Sequence, residues 1–124
     1  MAGESVLRSK CELFSVRIVN CYKFLTKERS EFVMSKQLLR SGTSIGANVT
    51  EGLFAQSRND FVSKLNISLK EAQETNYWLR LLHKTDYLND KEFSSIIADN
   101  DEIIRILVAT LKTVREKDAN RDGE

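Results

Sequence analysis

A chain of 124 residues with 41% hydrophobic and 30% charged residues has the size and composition of one globular domain able to bury a core. Its 19 lysines and arginines oppose 18 aspartates and glutamates, a balance unlike that of proteins that hold phosphates through net charge. Proline is absent and only five glycines occur, so helix breakers and tight-hairpin residues are scarce and an all-helical chain is the economical expectation.

The first helix is predicted from Leu7, Cys11, Phe14, Ile18, Cys21 and Leu25, whose alternating steps of four and three put them on one face. It should end between Thr26 and Ser30, either of which could cap the next helix. Cys11 and Cys21 stand about 15 Å apart along such a helix, too far to bridge, and are expected to be reduced core residues.

The second helix carries Met34, Leu38, Ile45, Val49 and Leu53, with small Ser41, Gly42, Ser44, Gly46 and Ala47 between them. Small residues let a neighbouring helix approach, and each interior glycine, at a cost of roughly 1 kcal/mol relative to alanine, calls for a compensating contact.

Ser57 followed by Asp60 resembles a capping box and opens a third helix through Leu65, Leu69, Ala72, Asn76, Leu79 and Leu82, reaching about Leu88. Tyr77, Trp78 and Leu81 add apolar surface on its other side and make a candidate oligomer interface.

Asn89 and Glu92 repeat the capping signal before Phe93, Ile97, Asn100, Ile104, Leu107, Leu111 and Val114, the predicted seam of a fourth helix, with Ile96, Ile103 and Ile106 off it. From Arg115 the chain is almost devoid of apolar residues and is expected to fray. Four helices joined by short links imply an all-α, antiparallel up-and-down four-helix bundle over residues 1–118, with a polar tail at 119–124.

No apolar run approaches the roughly 20 residues that span a bilayer. Residues 1–10 lack a secretory signal, so the cytoplasm is the expected compartment and no membrane partner is expected.

The run Gln37-Leu38-Leu39-Arg40-Ser41, continuing through Ser44-Ile45-Gly46-Ala47-Asn48-Val49 to Glu51-Gly52, is similar to the signature of bacterial four-helix-bundle proteins encoded within intervening sequences of 23S ribosomal RNA genes. Phe61, Leu65, Ile67, Leu69-Lys70-Glu71-Ala72, Glu74-Thr75 and Tyr77-Trp78-Leu79 resemble the third-helix pattern of one branch. The resemblance implies an up-and-down bundle that assembles as a homopentamer, and for most members the activity is unknown. A relative, the accessory variability protein of diversity-generating retroelements, is implied to be a pentamer of this fold that binds nucleic acid and a reverse transcriptase. RNA, DNA or a protein such as a reverse transcriptase are therefore candidate partners besides a second copy of the chain.

That relative is strongly basic and this chain is not, but its first forty residues are asymmetric. Arg8, Lys10, Arg17, Lys23, Lys27, Arg29, Lys36 and Arg40 outnumber Glu4, Glu12, Glu28 and Glu31. Lys10, Arg17, Lys23, Lys27, Arg29, Lys36 and Arg40 are the candidate nucleic-acid contacts, repeated as a basic ring in an oligomer. Solvated faces with intrahelical ion pairs are the plainer reading. Arg40, Ser44, Asn48, Glu51, Glu71 and Glu74 occupy polar positions of the motif. Several are expected inside or beside the bundle, with Arg40 meeting a glutamate and Asn48 bonding a facing helix.

No catalytic, cofactor-binding or metal-binding residue is expected. Di-iron bundles need a Glu-x-x-His motif on each of two helices, and the only histidine, His83, follows Arg80 at that spacing. His83 is expected on or near the surface. The reading is a non-enzymatic helical scaffold or accessory protein, with a nucleic-acid-binding module as the alternative.

Overall fold

The computed structural model describes the backbone of residues 2–122 and the side chains of residues 6–120. Four helices follow in order, α1 (Ala2–Lys27), α2 (Met34–Leu53), α3 (Arg58–Lys84) and α4 (Asp90–Asp122), with no strand among the described residues. Links this short turn each helix antiparallel to the one before. Neighbours in sequence pack side by side, α4 closes back on α1, and the backbones of the diagonal pairs stay apart. This is the expected up-and-down four-helix bundle. The α2/α3 interface is the most extensive and α1/α4 the slightest. No described helix is long and apolar enough to cross a membrane.

The core is a stack of side chains from all four helices. Leu7, Cys11, Phe14, Ile18 and Leu25 of α1 meet Leu38, Ile45 and Val49 of α2, Leu65, Ala72, Leu79 and Leu82 of α3, and Ile103, Leu107 and Leu111 of α4. Glycine allows the closest approach. A Cβ on Gly42 would stand 2.8 Å from Ile18 side-chain carbons, and one on Gly46 would stand 3.2 Å from Cys11 Cβ. The two glycines thus supply the contact that their helix-propensity cost requires.

The α4 seam is corrected. Ile96, Asn100, Ile103, Leu107 and Leu111 are its buried row, whereas Phe93, Ile97, Ile104 and Val114 are only partly buried. Apolar residues fill two adjacent rows of this helix, so periodicity alone does not choose between them.

The helix ends also differ from expectation. Neither Thr26 nor Ser30 caps α2. Glu31 does, its carboxylate accepting the amides of Val33 (3.0 Å), Met34 (2.9 Å) and Ser35 (2.7 Å). Helix α3 stops at Lys84 rather than near Leu88, because Asp86 turns left-handed at φ 68° and the Tyr87 and Leu88 amides fold back onto the Leu82 carbonyl.

Both capping signals are realised: Ser57 Oγ accepts the Asp60 amide at 3.1 Å, and Asn89 and Glu92 exchange reciprocal bonds of 2.8 Å. The fraying expected from Arg115 is not seen. Helix α4 continues to Asp122, and Arg58 Nη1 donates to Asp118 Oδ1 at 2.8 Å, fastening its last turns to the start of α3. Of the polar tail at 119–124, residues 123 and 124 lie outside the described residues, as do the side chains of 121 and 122 and of Glu4.

Candidate functional site

The motif residues of α2 and α3 come together along one lateral face, and buried hydroxyls set how the two helices align. Ser68 Oγ donates to the Ile45 carbonyl at 2.9 Å, and Thr75 Oγ1 lies 3.0 Å from Ser41 Oγ, all with no solvent exposure. Each bond crosses from one helix to the other inside the core, where slippage would strand a polar group.

That alignment sets Arg40 between two carboxylates of α3. Its Nη1 donates to Glu71 Oε2 at 3.2 Å and its Nη2 donates to Glu74 Oε2. Trp78 Nε1 donates to the same Glu74 oxygen at 3.0 Å. Roughly two to three turns further along the same pair of helices, Lys64 pairs with Glu51 at 3.1 Å. The Trp78 N–H holds the Glu74 carboxyl below its ordinary range against the opposing effect of burial, and Arg40 adds to the depression. The Arg40 guanidinium is held above its ordinary value, chiefly by the bond it donates to Glu74.

Arg40 thus meets glutamates as expected, and of the two expected placements the group takes the one beside the bundle, on its flank: the Arg40 side chain is 49% exposed and that of Glu74 37%. Asn48 is corrected. Its Nδ2 donates to the Ser44 carbonyl of its own helix, and Ser44 Oγ donates to the Arg40 carbonyl, so neither reaches α3. Around the ion cluster stand apolar groups. Tyr77 is 57% exposed and Ile67 40%, Leu81 and Trp78 are half-buried, and the Tyr77 and Trp78 rings meet edge to face at 5.0 Å. An arginine and a tryptophan that share one carboxylate, with a tyrosine beside the tryptophan, have the composition of association hot spots.

The seven basic positions do not form one free group. Lys10 pairs with Glu102 and Arg17 with Asp99, both at 2.7 Å, and Arg17 also reaches Ser95. These bridges span the sparsely packed α1/α4 side. Arg29 donates to the carbonyls of Asp86 and Tyr87, and Arg40 is engaged as above. Lys23, Lys27 and Lys36 are exposed and form no ion pair among the described residues. The fold brings Asp86 and Asp90 of the α3–α4 connection to the same end, which dilutes the positive excess of the first forty residues.

His83 lies half-buried at that end, its Nε2 2.7 Å from Asp90 Oδ1 and its ring stacked on Phe93 at 4.2 Å. Among the described residues, no three His, Cys, Asp or Glu side chains gather as a metal site. Burial pushes the Cys11 thiol up to about 12, and burial together with Glu92 pushes the Cys21 thiol up to about 11, which keeps both protonated and unreactive at neutral pH.

Two features escaped the sequence reading. Glu31 gave no cue as a cap because its contacts run forward two to four residues from a loop. The Ser68 and Thr75 row was legible in principle, since both lie at helical spacing from Leu65, Ala72 and Leu79.

The fold and this face define a class, the small antiparallel four-helix bundles, here with a polar motif shared between α2 and α3. Within that class the chain belongs to the 23S rRNA-intervening sequence protein family, whose model matches residues 4–109. It is also similar to a crystallised protein of unknown function from the S23 ribosomal protein family from Bacteroides thetaiotaomicron VPI-5482. That likeness has 55% identity and a TM-score of 0.88, covering 89% of this chain and 98% of the other. No curated protein matches the sequence.

Proposed function

We propose that this chain is a non-catalytic scaffold or accessory protein that assembles with copies of itself through the α2–α3 face, as the pentamer that the family resemblance implies, and presents its remaining helical surface to a protein or nucleic-acid partner. The observation that carries this reading is the grouping of exposed Tyr77 and Ile67 with half-buried Trp78 around the Arg40, Glu71 and Glu74 cluster. A patch of aromatic and aliphatic groups with ion pairs already formed can be desolvated without leaving an unpaired charge.

Trp78 is the only tryptophan, so its fluorescence reports on this face alone. Diluting the protein should shift its emission to the red over the same concentrations at which the scattering mass falls. A falling mass with unchanged emission would place the interface elsewhere.

The second reading, binding of RNA or DNA, is favoured by Lys23, Lys27 and Lys36, which remain exposed beside the α1–α2 connection. Titration with single- and double-stranded RNA against salt tests it. Binding that weakens steeply with salt, and further when the three lysines are changed to glutamine, is the expected result; no binding at low salt ends this reading.

A further inference from the structure

Where α2 turns into α3, beside the early turns of α1 and the last turns of α4, the bundle opens into a cavity of about 630 Å³, a size common among small-ligand sites. Three cations from three helices line it, Arg8 of α1, Arg58 of α3 and Lys117 of α4, and no carboxylate does. Its wall includes Leu53, Phe61 and Val114.

The cations differ in how far they are engaged. Arg58 shares its charge with Asp118, which lies outside the lining. The Arg8 guanidinium lies over the Phe54 ring at 5.6 Å and approaches Glu12 only at 3.7 Å through Nε. Lys117 is exposed and pairs with none of the described carboxylates. The 27-residue helix α3 begins at this cavity, with Ser57 and Arg58 in the lining; its N-terminal dipole favours an anion there, and Asp60 in its first turn, outside the lining, opposes part of that effect.

We propose that this cavity binds a small phosphate-bearing organic anion, its phosphate held among Lys117, Arg8 and Arg58 and its apolar part against Phe61, Leu53 and Val114. A compact dianion suits several cations lining one cavity better than a single carboxylate does. The apolar wall favours an organic phosphate over the inorganic ion, because part of the ligand can leave water. None of Arg40, Ile67, Glu71, Glu74, Tyr77 or Trp78, on which the self-association reading rests, lines this cavity, so the two proposals stand or fall separately.

Calorimetric titration of the full chain with inorganic phosphate, phenyl phosphate, adenosine monophosphate and adenosine tests the proposal. Both organic phosphates should bind at least about tenfold more tightly than inorganic phosphate, and adenosine should not bind. Lys117→Glu should weaken the binding of phenyl phosphate by about tenfold or more with helicity unchanged, and Arg8→Gln should weaken it in the same direction. Failure of both organic phosphates to saturate the protein by about 10 mM would overturn the proposal. So would equal binding of inorganic phosphate or of adenosine, or unchanged affinity in both variants.

Discussion

Gly42 of α2 faces Ile18 of α1 so closely that an added Cβ would lie 2.8 Å from both Ile18 Cγ1 and Cγ2. Ile18 is fully buried and β-branched, so it has little freedom to move aside. Gly42→Ala should lose about 1–3 kcal/mol to overpacking, more than the roughly 1 kcal/mol that alanine gains in helix propensity. A lower urea midpoint is expected. Gly46→Ala, whose Cβ would meet Cys11 Cβ at 3.2 Å, should change stability by less than about 1 kcal/mol. A Gly42→Ala protein more stable than the native one would show that the close contact does not require glycine.

Glu31 makes the start of α2 sensitive to acid. Burial pushes its pKa up, but the Met34, Ser35 and Val33 amides outweigh burial and hold the group below its ordinary value of 4.5. A carboxyl depressed in the folded state contributes stability that is fully present above its unfolded pKa and is lost as pH falls through the folded one. Native protein should therefore lose stability as pH falls below 4.5. Glu31→Gln should lower stability at neutral pH by about 1 kcal/mol and make that acid decline shallower. Denaturant midpoints between neutral pH and acid, measured for both proteins, check this; parallel curves would contradict it.

Asn100 is fully buried in α4, its Nδ2 donating to the Ala72 carbonyl at 2.9 Å while its Oδ1 has no partner. An unpaired buried carbonyl costs about 1–3 kcal/mol, more than the single bond returns. Asn100→Leu should leave stability unchanged or raise it by about 1 kcal/mol. A marked fall in the thermal midpoint would instead show that the amide holds α3 and α4 together.

How far the sequence could be read follows from where its information is local. The seam of α1 and the Asn89 and Glu92 box depend on spacing within one helix; the box stands as expected, and so does the seam apart from Cys21, which is only partly buried. The α4 register does not, because Ile96 and Ile97, like Ile103 and Ile104, offer adjacent rows and only packing against α1 and α3 selects one. The partnership of Arg40 with glutamates was foreseeable from charge alone. Its position on the flank was not, since that depends on the Ser68 and Thr75 bonds that align α2 with α3. Asn48 illustrates the same limit: a polar side chain facing another helix in a motif can still bond its own backbone.

Tyr77 separates assembly from folding most cleanly, because it is 57% exposed in the single chain and sits on the face assigned to self-association. The decisive measurement is the light-scattering mass of native protein and of Tyr77→Lys at the same micromolar concentration, with circular dichroism on both. The native mass should be a multiple of 14.2 kDa, and the variant should fall towards one chain with its helicity kept. A native protein that runs as a single chain, or a Tyr77→Lys protein that keeps the native mass, would contradict assembly through the α2–α3 face.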